Sequence, residues 1–178
     1  RRADRHSLGS VALPEVATAI AEPIEHAGRR IVPELASRAA AATGGYPFLI
    51  QLVGYHIWRQ QPRHREISAA DVEMGIIAAR RRLGSLVHEP AISDLPGVAR
   101  TFLLAMAHDD GPSKMSAIAA RLNVDANYAS QYRLRLIASE LIEPAGHGQV
   151  DFTMPYLRDY LREHVALDAQ REPPSDSG

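Results

Sequence analysis

The sequence contains no cysteine, and Lys114 is the single lysine among its 20 basic residues. Without cysteine the chain can form neither disulfides nor a thiolate metal site, and its eight histidines never fall into a zinc-type spacing such as HExxH. The sequence therefore predicts no metal site and argues against a metal enzyme.

Long apolar runs are also lacking, since no stretch approaches the roughly 18 residues that a membrane span needs and no leader pattern is visible. The formal net charge is −1 and the pI is near 6.8, so charge alone cannot bind nucleic acid. We expect a soluble, cytoplasmic protein without a membrane partner, in which any DNA contact is local. Because the chain begins at Arg1 without an initiator methionine, we also expect a fragment.

The first half of the chain is typical of a small helical domain. Residues 1–10 are polar without periodicity, and 1–12 are predicted to be a flexible segment. Residues 13–83 have 3.6-residue apolar spacing broken by proline and glycine, and the predicted helical domain is 13–90. Ser68 and Asp71 have the spacing of a helix-capping box. The pattern predicts four helices, at about 13–27, 32–42, 48–61 and 68–83.

The second half, 91–168, is typical of a winged helix-turn-helix. Residues 84–96 lose periodicity and predict a connection, with the domain boundary near residue 90. Asp125 is positioned to cap a helix, and a Gly-rich turn between two alternating segments predicts a hairpin. The predicted helices are 98–108, 114–122, 126–141 and 155–165, the hairpin is 142–153, and 169–178 is predicted to be a disordered tail.

Three stretches carry a family resemblance: AATGGYPFLIQLVGYHIW (41–58), FLLAMAHDDGPSKMSAIAARLN (102–123) and RLIASELIEPAGHGQVDFTMPYLRDYLR (135–162). They resemble the C-terminal half of bacterial AAA-type ATPases of the archaeal-like, Orc/Cdc6-related branch, close to the STAND signalling ATPases. The resemblance covers about 13–167. It implies an all-α, four-helix AAA-type lid followed by a winged helix-turn-helix domain with a small β-hairpin wing, and a P-loop nucleotide-binding domain as partner.

The chain itself lacks the phosphate-binding pattern G-x-x-x-x-G-K-[ST], so we expect it to be inactive alone and to meet ATP or ADP only together with an absent P-loop domain. Gly45-Tyr46-Pro47 resembles the Gly-x-Pro element that lies against adenine in the STAND group. The same residues are also an ordinary way to end one helix and begin another, and both interpretations stay open.

The sequence departs from the family at two places. Phe48-Leu49-Ile50-Gln51 stands where many lids carry an arginine that senses the γ-phosphate, and Arg59 comes too late to replace it. We therefore predict no catalytic residue in this chain, and whether the parent protein hydrolyses ATP stays open. Glu140 occupies the helix-to-wing junction, where the family usually has glycine, and is expected to strain or lengthen that turn.

The second helix of the helix-turn-helix carries the candidate DNA contacts. Amide side chains on its outward stripe can pair with adenine, arginines can hold guanine or phosphate, and Lys114 and the wing turn can meet the backbone. The predicted double-stranded DNA contacts are Lys114, Asn127, Ser130, Gln131, Arg133, Arg135 and His147, with Arg121 as a further phosphate contact.

Two other functions stay open. Leu134 lies in the middle of the same stripe and suits a protein contact as well as a thymine methyl, so a protein-interaction or autoinhibitory module of a STAND-like ATPase without DNA binding stays open. A free-standing transcription regulator would require self-assembly through the lid. Tyr55 and Trp58, three apart on one predicted helix, are expected in the core, although an exposed Trp58 would indicate a partner surface.

Overall fold

The structure is a computed structural model that describes residues 10–171, with side chains described as far as residue 164. The chain divides into two compact units, residues 1–83 and 84–178. We term them the four-helix unit and the winged-helix unit. The division falls after Leu83, earlier than the predicted boundary near residue 90. The predicted fold class, helices with one small sheet, is confirmed.

The described part of the four-helix unit contains α1 (Leu13–His26), α2 (Pro33–Ala41), α3 (Pro47–Trp58) and α4 (Ala69–Leu83). The first three begin with proline in the first turn, where a missing N–H costs nothing. The predicted capping box opens α4. The Ser68 amide donates to Asp71 Oδ2 at 2.9 Å and the Asp71 amide donates to Ser68 Oγ at 3.2 Å.

Helices α3 and α4 pack unusually closely at Gly75. A Cβ added to Gly75 would lie 2.5 Å from Ile57 Cγ1 and 2.8 Å from Ile57 Cα. Only glycine allows this approach, which lets Val53 and Ile57 be buried against α4.

Arg29 stabilises the end of α3. Its side chain is 8% exposed, and its guanidinium donates to backbone carbonyls at 2.6–3.3 Å. The acceptors are the carbonyls of Trp58, Gln60, Gln61 and His64. A single buried cation thus satisfies carbonyls that the end of a helix leaves without partners.

Tyr55 and Trp58 are not core residues, contrary to the sequence expectation. They are 49% and 44% exposed, because the buried side of α3 is formed by Leu49, Val53 and Ile57 instead. The three-residue spacing placed the aromatic pair on one helix face, but it did not identify which face is buried.

The winged-helix unit has the element order of a winged helix-turn-helix. It begins with a π-helical turn (Gly84–His88) and α5 (Glu89–Ser93). The elements that follow are α6 (Gly97–Ala107), β1 (Ser113–Lys114), α7 (Met115–Leu122), α8 (Ala126–Ala138), β2 (Ile142–Pro144), β3 (Gln149–Phe152) and α9 (Leu157–Arg171). The strands form one antiparallel sheet in the order β1-β3-β2.

Residues 84–93 are helical, although the sequence predicts a connection there. Packing explains the difference. Gly84 lies against Tyr160, where a Cβ would be 2.9 Å from the ring, and His88 is buried with its Nε2 donating to the Pro155 carbonyl at 2.9 Å. Burial also lowers the pKa of His88, which keeps its imidazole neutral.

The ends of the chain differ in part from expectation. Helix α9 continues to Arg171, so 169–171, predicted as the start of a disordered tail, are helical. Most of the predicted flexible segment (1–9) and the rest of the predicted tail (172–178) lie outside the described residues. Within residues 10–171, no helix is long and apolar enough to cross a bilayer.

Candidate nucleic-acid interface

The turn between α7 and α8 is fixed by local hydrogen bonds. Asn123 adopts a left-handed conformation (φ 53°) that ends α7, and Asp125 Oδ1 accepts from the Tyr128 amide at 2.8 Å, as the sequence predicts. Val124 packs half-buried against the core of the unit. The orientation of α8 is therefore set at its first turn.

The predicted outward stripe of α8 is exposed. Ala129 and Leu136 face the core, whereas Asn127, Ser130 and Gln131 are exposed. Leu134, on the same stripe, is 62% exposed. The structure thus brings the predicted base-contacting amides together on one solvent-facing side.

The wing lies beside Lys114. In the sheet, Lys114 on β1 pairs with Gln149 on β3, and the amide next to it, that of Met115, donates to the Gly148 carbonyl at 2.9 Å. His147 is exposed at the tip of the β2–β3 turn. The sequence predicts that Lys114 begins a helix, but it lies in β1. A two-residue strand is recognised only through its pairing with another strand, which a local sequence pattern does not show.

Arg121, expected as a further phosphate contact, is paired within the unit. Its guanidinium donates to both carboxylate oxygens of Asp109, at 2.7 and 2.5 Å, and to the Ala105 carbonyl at 2.8 Å. The hydrogen bond from Arg121 lowers the pKa of Asp109 to about 2. The charge of Arg121 is therefore neutralised within the unit.

Arg133 and Arg135 differ in exposure. Arg133 is half-buried and its Nε lies out of contact with solvent, so only its outer nitrogens can reach a ligand. Arg135 is exposed, and its guanidinium carbon lies 5.3 Å from the centre of the Tyr132 ring. Contact with this ring restricts the rotamers of Arg135.

Sequence reasoning missed the tyrosines beside Arg135. Tyr128 and Tyr132 have ring centres 5.0 Å apart, and the Tyr128 hydroxyl donates to that of Tyr132 at 3.4 Å. This hydrogen bond raises the pKa of Tyr128, so its hydroxyl stays protonated. The spacing i, i+4, i+7 of two tyrosines and an arginine was the available signal.

The candidate nucleotide motif lies in the four-helix unit, where Gly45 contacts the chain ahead of α1. The Val11 amide donates to the Gly45 carbonyl at 2.9 Å, and the Gly45 amide donates to Thr43 Oγ1 at 3.1 Å. A Cβ on Gly45, which has φ +78°, would lie 2.4 Å from the Val11 oxygen. The polar backbone of Gly45 is thus already occupied.

Tyr46 and Pro47 present the open side of this motif. Tyr46 is 40% exposed, Pro47 is exposed, and the neighbouring Phe48 is 47% exposed. Arg59, which comes too late in the sequence to sense the γ-phosphate, donates to the Tyr55 hydroxyl at 2.8 Å. An adenine contact here would rest on the Tyr46 and Pro47 side chains.

The junction between α8 and the wing is strained, as the sequence predicts. Glu140 has φ +58°, a left-handed conformation that favours glycine. The Thr153 hydroxyl donates to the Glu140 carbonyl and holds the turn against β3.

Comparison with known proteins gives the following relations. A family model described as "Domain of unknown function (DUF8462)" matches residues 85–161. No curated protein matches the sequence. Among solved structures, the RuvB Holliday junction branch migration motor of Thermotoga maritima matches 94% of this chain at 17% identity with a TM-score of 0.41. Two variants of that protein match at 18% identity with TM-scores of 0.37 and 0.36. This chain spans 51% of the length of each of these structures.

Proposed function

We propose that this chain is the regulatory lid and winged-helix portion of an ATP-dependent, AAA-type switch protein of the Orc/Cdc6-related branch, and that its winged helix binds double-stranded DNA. The observation that carries the DNA proposal is the exposed stripe of α8. In this proposal the protein acts in the cytoplasm, and a P-loop domain is its nucleotide-binding partner.

The second helix of a helix-turn-helix lies in the major groove and presents its first turns to the base edges. Asn127 and Gln131, one helical turn apart, can each donate to and accept from adenine. Ser130 and Arg135 lie beside these two residues. Lys114 on β1 and His147 at the tip of the wing contact phosphates. Because the net charge of the chain is close to zero, these local contacts are the main source of its affinity for DNA.

Because Arg121 is paired with Asp109, at most three basic side chains, Lys114, Arg133 and Arg135, remain for phosphates. Each neutralised phosphate contributes about −0.9 to the dependence of log K on log salt, so we expect a slope of about −2.7. Such binding is weak for one module, and several modules joined by assembly would be needed for useful specificity.

Fluorescence anisotropy with a labelled duplex at several salt concentrations tests this. Replacing Arg135 by Ala should weaken binding and bring the slope closer to zero by about 0.9. Arg63→Ala, which removes the same charge from an exposed turn of the four-helix unit, is the matched control. Absence of salt-dependent binding, or equal losses in both variants, would contradict DNA binding through α8.

For the nucleotide, we propose that a P-loop domain holds the phosphates of ATP or ADP while Tyr46 and Pro47 contact the adenine. Calorimetry should detect no micromolar binding by this chain alone, because it lacks a phosphate cradle. In a longer chain that includes the P-loop domain, Pro47→Ala should weaken binding, whereas Pro33→Ala, at another helix start, should not. Equal affinities would leave Gly45-Tyr46-Pro47 a purely structural turn.

A second candidate function, a protein-interaction or autoinhibitory module, is favoured by Leu134. Leu134 is a large apolar side chain that is 62% exposed in the middle of a polar stripe, where an apolar surface of a partner protein can cover it. If no duplex binding is found, Leu134→Lys is the variant that should abolish capture of a P-loop domain added in trans.

A further inference from the structure

An open apolar groove runs between α1 and α3 of the four-helix unit. Its volume is about 400 Å³. The lining includes Ile20, Pro23 and Ile24 of α1 and Ile50, Tyr55 and Trp58 of α3. Neither the DNA surface on α8 nor the Gly45-Tyr46-Pro47 motif uses these side chains.

Tyr55 and Trp58 form an aromatic edge on the α3 side of the groove. They are 49% and 44% exposed, a large apolar area for a surface helix. Arg59 holds Tyr55 in place, since its guanidinium donates to the hydroxyl at 2.8 Å and lies 5.4 Å from the ring centre. The edge is thus ordered before any partner binds, which lowers the entropic cost of binding.

The two edges of the groove carry opposite charge. On α1, Glu15 and Glu22 are exposed next to the lining residues Ala19 and Pro23. On α3, the exposed Arg59 follows Trp58. The α3 side of the groove is basic, and the pKa of His56 on this helix is lowered first by burial and then by the positive charges of Arg59 and Arg82.

We propose that this groove binds a second copy of the chain, forming a two-fold symmetric dimer in which Trp58 of each copy enters the groove of the other. A two-fold interface must be complementary to itself. An apolar centre with an acidic edge and a basic edge meets this condition, because in such a dimer Arg59 of each copy can pair with Glu22 of the other. This dimer goes beyond the proposed DNA and nucleotide contacts and does not depend on them.

Trp58 is the only tryptophan of the chain and therefore reports on the interface directly. Sedimentation velocity and tryptophan emission are measured over about a hundredfold range of concentration. The sedimentation coefficient should rise and the emission should shift to shorter wavelength together, as Trp58 leaves water. Trp58→Ala should remain monomeric, whereas Met74→Ala, which removes another side chain that is 53% exposed on the same unit, should dimerise like the wild type.

Charge exchange tests the pairing itself. Arg59→Glu and Glu22→Arg should each raise the dissociation constant at least about tenfold, because each homodimer then has like charges at both contacts. An equimolar mixture of the two variants should dimerise again, and so should the double variant. Circular dichroism verifies that every variant is folded.

A chain that stays monomeric over the whole range overturns the proposal. So does a Trp58→Ala variant that dimerises as well as the wild type, or a failure of both the mixture and the double variant to restore dimers.

Discussion

The two units use arginine in different ways. In the four-helix unit, Arg29 is buried and donates only to backbone carbonyls. In the winged-helix unit, Arg121 and Arg158 each bind a carboxylate as well as a backbone carbonyl: Arg121 binds Asp109 and the Ala105 carbonyl, and Arg158 binds Asp151 at 2.6 Å and the Gly111 carbonyl at 2.9 Å. Carbonyls do not titrate and carboxylates do, so acid should affect these two kinds of contact differently.

The two units also differ in the side chains that they expose. The four-helix unit exposes large apolar side chains, including Tyr46, Phe48, Tyr55 and Trp58. On α8 of the winged-helix unit the exposed stripe is polar except for Leu134. The proposed apolar contacts lie on the first unit, and the proposed polar contacts lie on α8 of the second.

The largest effect is expected at Arg29. Arg29→Met removes the donors of four partly buried hydrogen bonds to backbone carbonyls and should destabilise the four-helix unit by about 3 kcal/mol. Urea unfolding followed by Trp58 emission measures this unit. Arg38→Met is the control, since the Arg38–Glu73 pair is 55% and 50% exposed and should contribute only about 0.5 kcal/mol. Equal losses would show that the carbonyl contacts of Arg29 are not special.

Gly75→Ala changes packing alone, without altering any charge or side-chain hydrogen bond. The new Cβ would collide with the Ile57 backbone, and we expect a loss of about 2 kcal/mol in the four-helix unit only. Gly54→Ala is the matched control in α3, because its Cβ would meet nothing closer than 3.9 Å. That variant should be stabilised by about 0.5 kcal/mol through helix propensity, and a loss there would contradict the packing argument.

Asp109→Asn tests the carboxylate contacts of the winged-helix unit. At neutral pH the variant should lose about 1 kcal/mol, because the paired hydrogen bonds from Arg121 weaken. The folded pKa of Asp109 is about 2 and its ordinary value is 3.8. The stabilisation is therefore complete above the ordinary value and disappears as the pH falls towards the folded one.

Thermal unfolding followed by amide NMR signals of α6 and α7, recorded at neutral pH and at about pH 2, measures this convergence. Asp110→Asn should have little effect at either pH, since the Asp110 side chain is 96% exposed. A difference between wild type and Asp109→Asn that persists unchanged at the lower pH would refute the linkage.

The smallest effect is expected at Gln131. Gln131→Ala should leave stability and salt slope unchanged and reduce the preference for an adenine at one position by about 1 kcal/mol. Competition anisotropy with duplexes that differ at single positions measures the preference. An altered slope with unchanged preference would make Gln131 a backbone contact and weaken the contrast between base and phosphate contacts on α8.

Elements fixed by local signals were predictable from sequence. Helix starts at proline, the Ser68–Asp71 box and the Asp125 cap each depend on residues within four positions, and all three appear in the structure. The α8 stripe was predictable for the same reason, because the polar residues of that helix are spaced so that they share one side.

Features fixed by distant partners were not predictable. The strand at Lys114 requires Gln149, the pairing of Arg121 requires Asp109, and the helical turns at 84–93 require Tyr160 of α9. The exposure of Trp58 likewise depends on which face of α3 meets the other helices. In each case the deciding neighbour lies twelve or more positions away, where periodicity carries no information.

The hydrogen bond between Val11 and Gly45 has a mechanical consequence. It joins the chain ahead of α1 directly to the turn that carries Tyr46 and Pro47, and a side chain at Gly45 would push the two segments apart. Tension applied to the chain ahead of Ser10 is therefore transmitted to Tyr46 through the Val11–Gly45 hydrogen bond, without passing along α1. In the same way, a displacement of Tyr46 and Pro47 is transmitted through this one hydrogen bond to the chain ahead of α1.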